Sequence, residues 1–271
     1  MLTCSGLTVG IAGRTLVRNL TFNLAAGDVV CVLGPNGVGK TLTLHTLAGL
    51  RPPASGSIRL GATELGQLPR RQIARQLGLL LQDDAETFPA TVLSTALMGR
   101  HPHLAGTRAE SAADVAQARS ALAAMNLDGF EDRSVATLSG GERRRLGLAR
   151  LLTQDPGVLL LDEPVNHLDP RHQLAVLEHL RGLARDGRTV LMTLHDPCLA
   201  THIASHALLL FTDGTWLLDT TAAALTAANL AQLFDTPYDE YVNTRNARAL
   251  LPRRLQDRLA PTVLDDLERR R

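Results

Sequence analysis

The octapeptide Gly34-Pro35-Asn36-Gly37-Val38-Gly39-Lys40-Thr41 constrains this chain more than any other stretch. It follows DVVCVL, residues 28–33, a continuous apolar and β-branched run. It precedes TLTLHTLAGL, whose apolar spacing is helical and which is predicted to stop at Leu50-Arg51-Pro52-Pro53. Strand, glycine-rich turn and helix in that order gather backbone N–H groups and the positive end of a helix around one anion, the geometry of a phosphate cradle. Lys40 is the single lysine among 28 Lys and Arg residues. A compact ammonium on a flexible stem can reach into the cradle and sit against the β and γ phosphates, where a planar guanidinium would need a fork of acceptors. Thr41 then offers its hydroxyl to Mg²⁺.

The stretches LGLLLQ (77–82), VLLLDEP (158–164), TVLMTLHD (189–196) and HALLLF (206–211) read as further buried strands separated by helical segments. Such alternation predicts an α/β fold with a mainly parallel sheet and helices on both faces. Residues 1–26 alternate loosely and read as antiparallel strands, and the alanine- and leucine-rich stretch between Gln82 and Val158 reads as an inserted helical subdomain. The expected organisation is a unit over 1–240, with its core in 1–83 and 156–240 and the helical subdomain in about 84–155. An arginine-rich extension over 241–271, with leucines at Leu251, Leu255 and Leu259, is predicted to be a terminal helix.

A formal net charge of +1 excludes broad electrostatic capture of nucleic acid or anionic lipid, so no nucleic-acid partner is expected. Cys4, Cys31 and Cys198 are far apart without CxxC spacing, which argues against a disulfide framework or zinc cluster and fits a reducing cytoplasm. No apolar stretch approaches the roughly 20 residues that span a bilayer.

Three further stretches carry chemistry. Asp162 and Glu163 end a buried strand, where adjacent side chains point to different faces. One carboxylate can therefore hold a metal while the other serves water as general base. In LSGGERRRLGLAR (138–150), Ser139 and Glu142 form a predicted capping box, which leaves Gly140 and Gly141 unexplained unless a backbone must come close to something such as another phosphate. His195 ends the strand TVLMTLH and draws interest from this company alone.

Together these residues resemble the ATP-binding subunits of ABC transporters. GPNGVGKT is similar to their Walker A, Gln82 to the Q-loop, LSGGE to the signature and VLLLDEP to Walker B; NHLD (166–169) is similar to the D-loop and His195 to the switch histidine. The resemblance covers roughly residues 2–236. It implies a P-loop NTPase (RecA-like) core with an N-terminal antiparallel β-subdomain and an inserted helical subdomain. It also implies Mg²⁺-dependent ATP hydrolysis in a head-to-tail homodimer. Lys40, Thr41, Gln82, Asp162, Glu163 and His195 of one chain would meet Ser139, Gly140 and Gly141 of the other, with Asp169 at the same seam. Thr41, Gln82 and Asp162 are the implied metal ligands, and Glu163, His195 and Gln82 the implied catalytic set. Ile11 stands where the family stacks adenine on an aromatic ring, Val165 where threonine is common and Glu142 where glutamine is.

FPATVLSTALMGRHPHLAG resembles the corresponding region of importers for iron-siderophore complexes, haem and cobalamin. That resemblance implies a separate integral-membrane permease, an indirect link to a substrate-binding protein, and a peripheral place on the cytoplasmic face of the bacterial inner membrane. The alternative is a soluble ABC-type ATPase with a non-transport or regulatory role. Read without that resemblance, His101-Pro102-His103 is a surface loop.

Overall fold

Every position from Val29 to Leu33 is apolar, and a strand of that kind is stable only where both of its faces are covered. The computed structural model describes residues 1–82, 89–104, 109–242 and 248–253. Its first elements are β1 (Leu2–Ile11), β2 (Arg14–Leu24), β3 (Val29–Leu33), α1 (Lys40–Leu47), β4 (Ser55–Leu60), β5 (Thr63–Glu64), α2 (Arg70–Gln76) and β6 (Leu77–Leu80). Then come α3 (Val92–Leu97), α4 (Ala112–Ala124) and α5 (Gly140–Gln154). The chain continues through β7 (Val158–Leu161), α6 (Pro170–Arg185), β8 (Thr189–Thr193), α7 (Pro197–Ile203), β9 (His206–Leu210) and β10 (Trp216–Thr220). Last are α8 (Thr221–Ala224), α9 (Ala227–Phe234), β11 (Tyr238–Val242) and β12 (Arg248–Pro252).

The central sheet runs β10-β9-β3-β8-β7-β6 and is parallel except for the β9–β10 pair. A second, antiparallel sheet runs β2-β1-β4-β5. Period-two alternation divides the core between the faces of the central sheet. Val30, Val32, Leu160, Leu191 and Leu208 pack with α1 and the antiparallel sheet. Cys31, Leu33, Leu159, Leu161, Met192 and Leu209 pack with α6, α7 and the helical subdomain.

The three helices between β6 and β7 start on local chemistry. Thr91 with Ser94, Ser111 with Asp114 and Ser139 with Glu142 each form a reciprocal capping box. Gly99 lets the chain lie directly on α5, because a Cβ there would stand 2.2 Å from the Arg150 carbonyl oxygen. Behind it, Arg100 Nη1 donates to Thr153 O at 3.2 Å and His103 Nε2 meets Gln154 O at 2.8 Å. Arg71 and Arg75 both donate to Pro102 O, at 2.9 and 2.8 Å. The GRHPH stretch is thus a staple between α2 and the end of α5 rather than a bare surface loop.

Two boundaries differ from the sequence reading. Helix α1 ends before the prolines: Leu50 N–H bonds to His45 O at 2.9 Å and Gly49 N–H to Thr46 O at 3.0 Å, a closure that places Gly49 at φ 69°. The predicted terminal helix is, over its described part, a hairpin of β11 and β12 that straddles the expected boundary at 240. Leu250 is buried in the main core, and Cys198 Sγ accepts from its N–H at 3.3 Å, so strand pairing and one anchoring leucine outweigh helical spacing. Leu255 and Leu259 lie outside the described residues.

Candidate functional site

Four adjacent strands, β3, β8, β7 and β6, deliver the sequence-identified residues at their carboxyl ends. That edge is where a parallel α/β sheet opens a crevice and where helix N-termini point. The phosphate loop leaves β3 and enters α1. Gly34 is required by close approach, since a Cβ would stand 2.6 Å from the Leu210 carbonyl oxygen. Gly39 is required by backbone shape, with φ 111° at the N-cap of α1.

Lys40 is buried, and its Nζ donates to Gly34 O at 2.7 Å and Pro35 O at 3.1 Å. Burial lowers the pKa of this ammonium, while the nearby Glu163 and Asp162 carboxylates work in the opposite direction. Asn36, Gly37, Gly39, Lys40, Thr41, Leu42, Gln82, Glu163, Asn166 and His195 line one open cleft of about 500 Å³.

The two carboxylates do diverge, though not by strand alternation. Both lie beyond the last residue of β7, and Glu163 has φ 50°, a left-handed backbone rare for a residue with a side chain. Asp162 is wholly buried: its Oδ1 accepts from Thr193 Oγ1 at 2.7 Å, and its Oδ2 has no hydrogen-bond partner among the described residues. Glu163 faces the cleft instead. Gln82 Nε2 donates to its Oε2 at 3.1 Å, Asn166 Nδ2 donates to the same oxygen, and His195 Nε2 lies 2.5 Å from its Oε1.

Sequence reasoning missed Thr193 and the role of Asn166. Thr193 accepts the Glu163 N–H at 2.7 Å while donating to Asp162, so one hydroxyl sets both acidic residues. A threonine within the apolar run TVLMTLH was the signal for it. Asn166 was visible only as the first letter of NHLD.

The remaining predicted residues lie apart from this cleft. Ser139 caps α5, and its Oγ accepts from Glu142 N at 3.2 Å. A Cβ on Gly141 would meet the His167 carbonyl oxygen at 3.2 Å, a tight contact within the chain. Gly140 is exposed, and a Cβ there would meet nothing within 4 Å. Asp169 caps α6 through His172 N at 3.0 Å and pairs with His172 Nδ1 at 2.7 Å. Ile11 is exposed at the end of β1 and does not line the cleft.

A glycine cradle with a buried lysine, beside paired carboxylates just past the end of the next strand but one, defines the class of P-loop nucleoside triphosphatases. Within it the chain belongs to the ABC transporter family, whose model matches residues 17–166, and it is an ATPase of that family. It is 38% identical over 239 residues to the hemin import ATP-binding protein HmuV of Pseudomonas entomophila (strain L48), covering 86% of this chain and 92% of the relative. It is 36% identical to the ferric enterobactin transport ATP-binding protein FepC of Escherichia coli (strain K12), over 75% of this chain and 76% of that one. A solved structure described as the inward-facing conformation of a metal-chelate type ABC transporter superposes with a TM-score of 0.81 at 29% identity, covering 97% of this chain and 98% of that chain. The dimeric bacterial cassette MJ0796 shares the fold, with a TM-score of 0.73 at 23% identity over 82% of this chain and 99% of that chain.

Proposed function

We propose that the chain is the ATP-hydrolysing subunit of a bacterial importer for a metal chelate of the iron-siderophore, haem or cobalamin kind, acting on a separate membrane permease. The observation that carries the enzymatic part is the Glu163 carboxylate, held by Gln82, Asn166 and His195 at the rim of the cleft floored by the phosphate loop.

In this reading the N–H groups of residues 34 to 41 and the Lys40 ammonium bind the β and γ phosphates. Glu163 Oε1 or Oε2 accepts a proton from the attacking water, and His195 steadies the γ-phosphate and the carboxylate together. Gln82 reaches the same carboxylate from the segment between β6 and the helical subdomain and reports its state. The residues fit a divalent cation. Asp162 Oδ2 is a buried acceptor without a hydrogen-bond partner among the described residues, and Thr41 lines the cleft from the first turn of α1. Mg²⁺ held by Thr41, Asp162 and Gln82 would neutralise charge on the phosphates.

A homodimer is supported by the signature. Ser139 and Gly140 stand exposed at the N-terminus of α5, outside the chain's own cleft, with space over Gly140 for a ligand brought by a second copy. Asp169 would lie at that seam. A permease partner is supported by the import roles in the relatives' names and by the absence, among the described residues, of any helix long and apolar enough to cross a membrane. The site of action is then the cytoplasmic face of the inner membrane, with a substrate-binding protein engaged indirectly.

The test is ATP turnover by the purified chain beside Lys40→Ala and Glu163→Gln, with and without Mg²⁺, and with size followed by light scattering. Both variants are expected to be inactive, and Glu163→Gln alone to form a stable dimer on ATP. A fully active Glu163→Gln removes this residue as base. Uptake of haem and of ferric siderophores by cells lacking the gene separates the cargoes.

A further inference from the structure

Arg144 sits on α5 in the turn that follows Ser139-Gly140-Gly141, and its guanidinium is buried among the strand ends that build the site. Nη1 donates to Leu81 O at 2.5 Å and to Gln82 O at 3.1 Å. Nη2 donates to Glu163 O at 2.9 Å and to Asp162 O. These four carbonyls belong to two segments leaving neighbouring parallel strands, β6 and β7, and those segments carry Gln82, Asp162 and Glu163. A flat, rigid fork of donors suits such a set, whereas an ammonium or an amide cannot span it. Buried guanidinium donors are costly to leave unmet, so the two segments cannot shift apart without losing charge-assisted bonds.

Its neighbour Arg145 makes the contrast. Arg145 is equally buried and donates to Met125 O at 2.8 Å and Asn126 O at 2.7 Å, carbonyls at the end of α4 away from the cleft. One arginine therefore fastens α5 within the helical subdomain, and the next fastens α5 to the acidic and amide residues of the nucleotide cleft. Nothing in the motif alone separates the two.

We infer that Arg144 is a positioning residue for hydrolysis: it holds the peptide units of Gln82 and Glu163 in the register their side chains need. It thereby transmits displacement of the start of α5 to the carboxylate of the same chain. The inference rests on the reading of Glu163 as base and of Ser139-Gly140 as the contact to the partner's nucleotide. In a dimer, that would link nucleotide held at one site to the geometry of the other.

The experiment compares ATP turnover, binding of a fluorescent ATP analogue and melting temperature for the full chain and for Arg144→Lys, Arg144→Gln, Arg145→Lys and Glu163→Gln. Arg144→Lys and Arg144→Gln are expected to lower kcat about tenfold or more while analogue affinity stays within about twofold. Arg145→Lys is expected to lower the melting temperature without a comparable fall in kcat. The inference is overturned if the Arg144 variants turn over as the parent does, or if their kcat and affinity fall together in step with melting temperature. It is equally overturned if neither Arg144 variant folds while Arg145→Lys does, which assigns Arg144 to stability alone. Parental turnover in Glu163→Gln removes the base assignment instead, a result separate from any seen at Arg144.

Discussion

Thr193 Oγ1 donates to Asp162 Oδ1 at 2.7 Å, from a strand whose every residue is buried. The same oxygen accepts the Glu163 N–H, so two acidic residues take their places from one hydroxyl. Replacing Thr193 by valine keeps the volume and removes the bonds. The variant is expected to lose roughly 2–4 kcal/mol of stability, because a buried carboxylate oxygen and a buried N–H both lose their partner. Urea unfolding measures the loss; an unchanged midpoint would count against this arrangement.

Lys40→Arg is expected to be as inactive as Lys40→Ala, though it keeps the charge. The ammonium is buried against the Gly34 and Pro35 carbonyls, where a wider planar group finds no room. Affinity for a fluorescent ATP analogue should fall about tenfold or more. Near-parental binding by the arginine variant would show that charge alone suffices.

Acid stability should depend on Asp114. Hydrogen bonds from the Ser111 backbone and side chain, then from Arg100, hold this carboxyl down at about 2. A group whose folded pKa is depressed contributes stability in full above its unfolded value of about 3.9 and loses it as pH falls toward the folded value. Asp114→Asn should therefore melt lower than the parent at pH 7, with the gap closing between about pH 4 and pH 2. A gap that stays constant with pH would show that the charge contributes nothing.

Leu250 anchors the terminal hairpin, with only 1% of its surface exposed. Leu250→Ala is expected to cost about 2–4 kcal/mol, read by denaturant unfolding. Proteolysis within the hairpin should quicken in parallel. If unfolding is unaffected, the hairpin is not part of the cooperative unit.

The elements that sequence reading placed well are those whose causes are local. The cradle from Gly34 to Thr41, the capping box of Ser139 and Glu142, the all-apolar strands from Val29 and Val158 and the mostly apolar strand from Thr189 each depend on residues within a few positions of one another. Their order along the chain was enough to predict a mainly parallel sheet with the phosphate loop between one of its strands and a helix. The same reading failed at residues 248–252, where leucine spacing suggested a helix. Pairing with Tyr238–Val242 and burial of Leu250 against Cys198 made a hairpin instead.

By itself, then, the sequence determined the nucleotide-binding class, the strand–loop–helix that cradles phosphate and the residues that could carry the chemistry. Tertiary structure alone decided how those residues are held. Thr193 reaches Asp162, Arg144 reaches Gln82 and Glu163, and Gln82 reaches Glu163 across separations of 31, 62, 19 and 81 residues. Hydrogen bonds between such distant positions leave no periodicity to read, because they exist only once adjacent parallel strands bring their carboxyl ends to one edge.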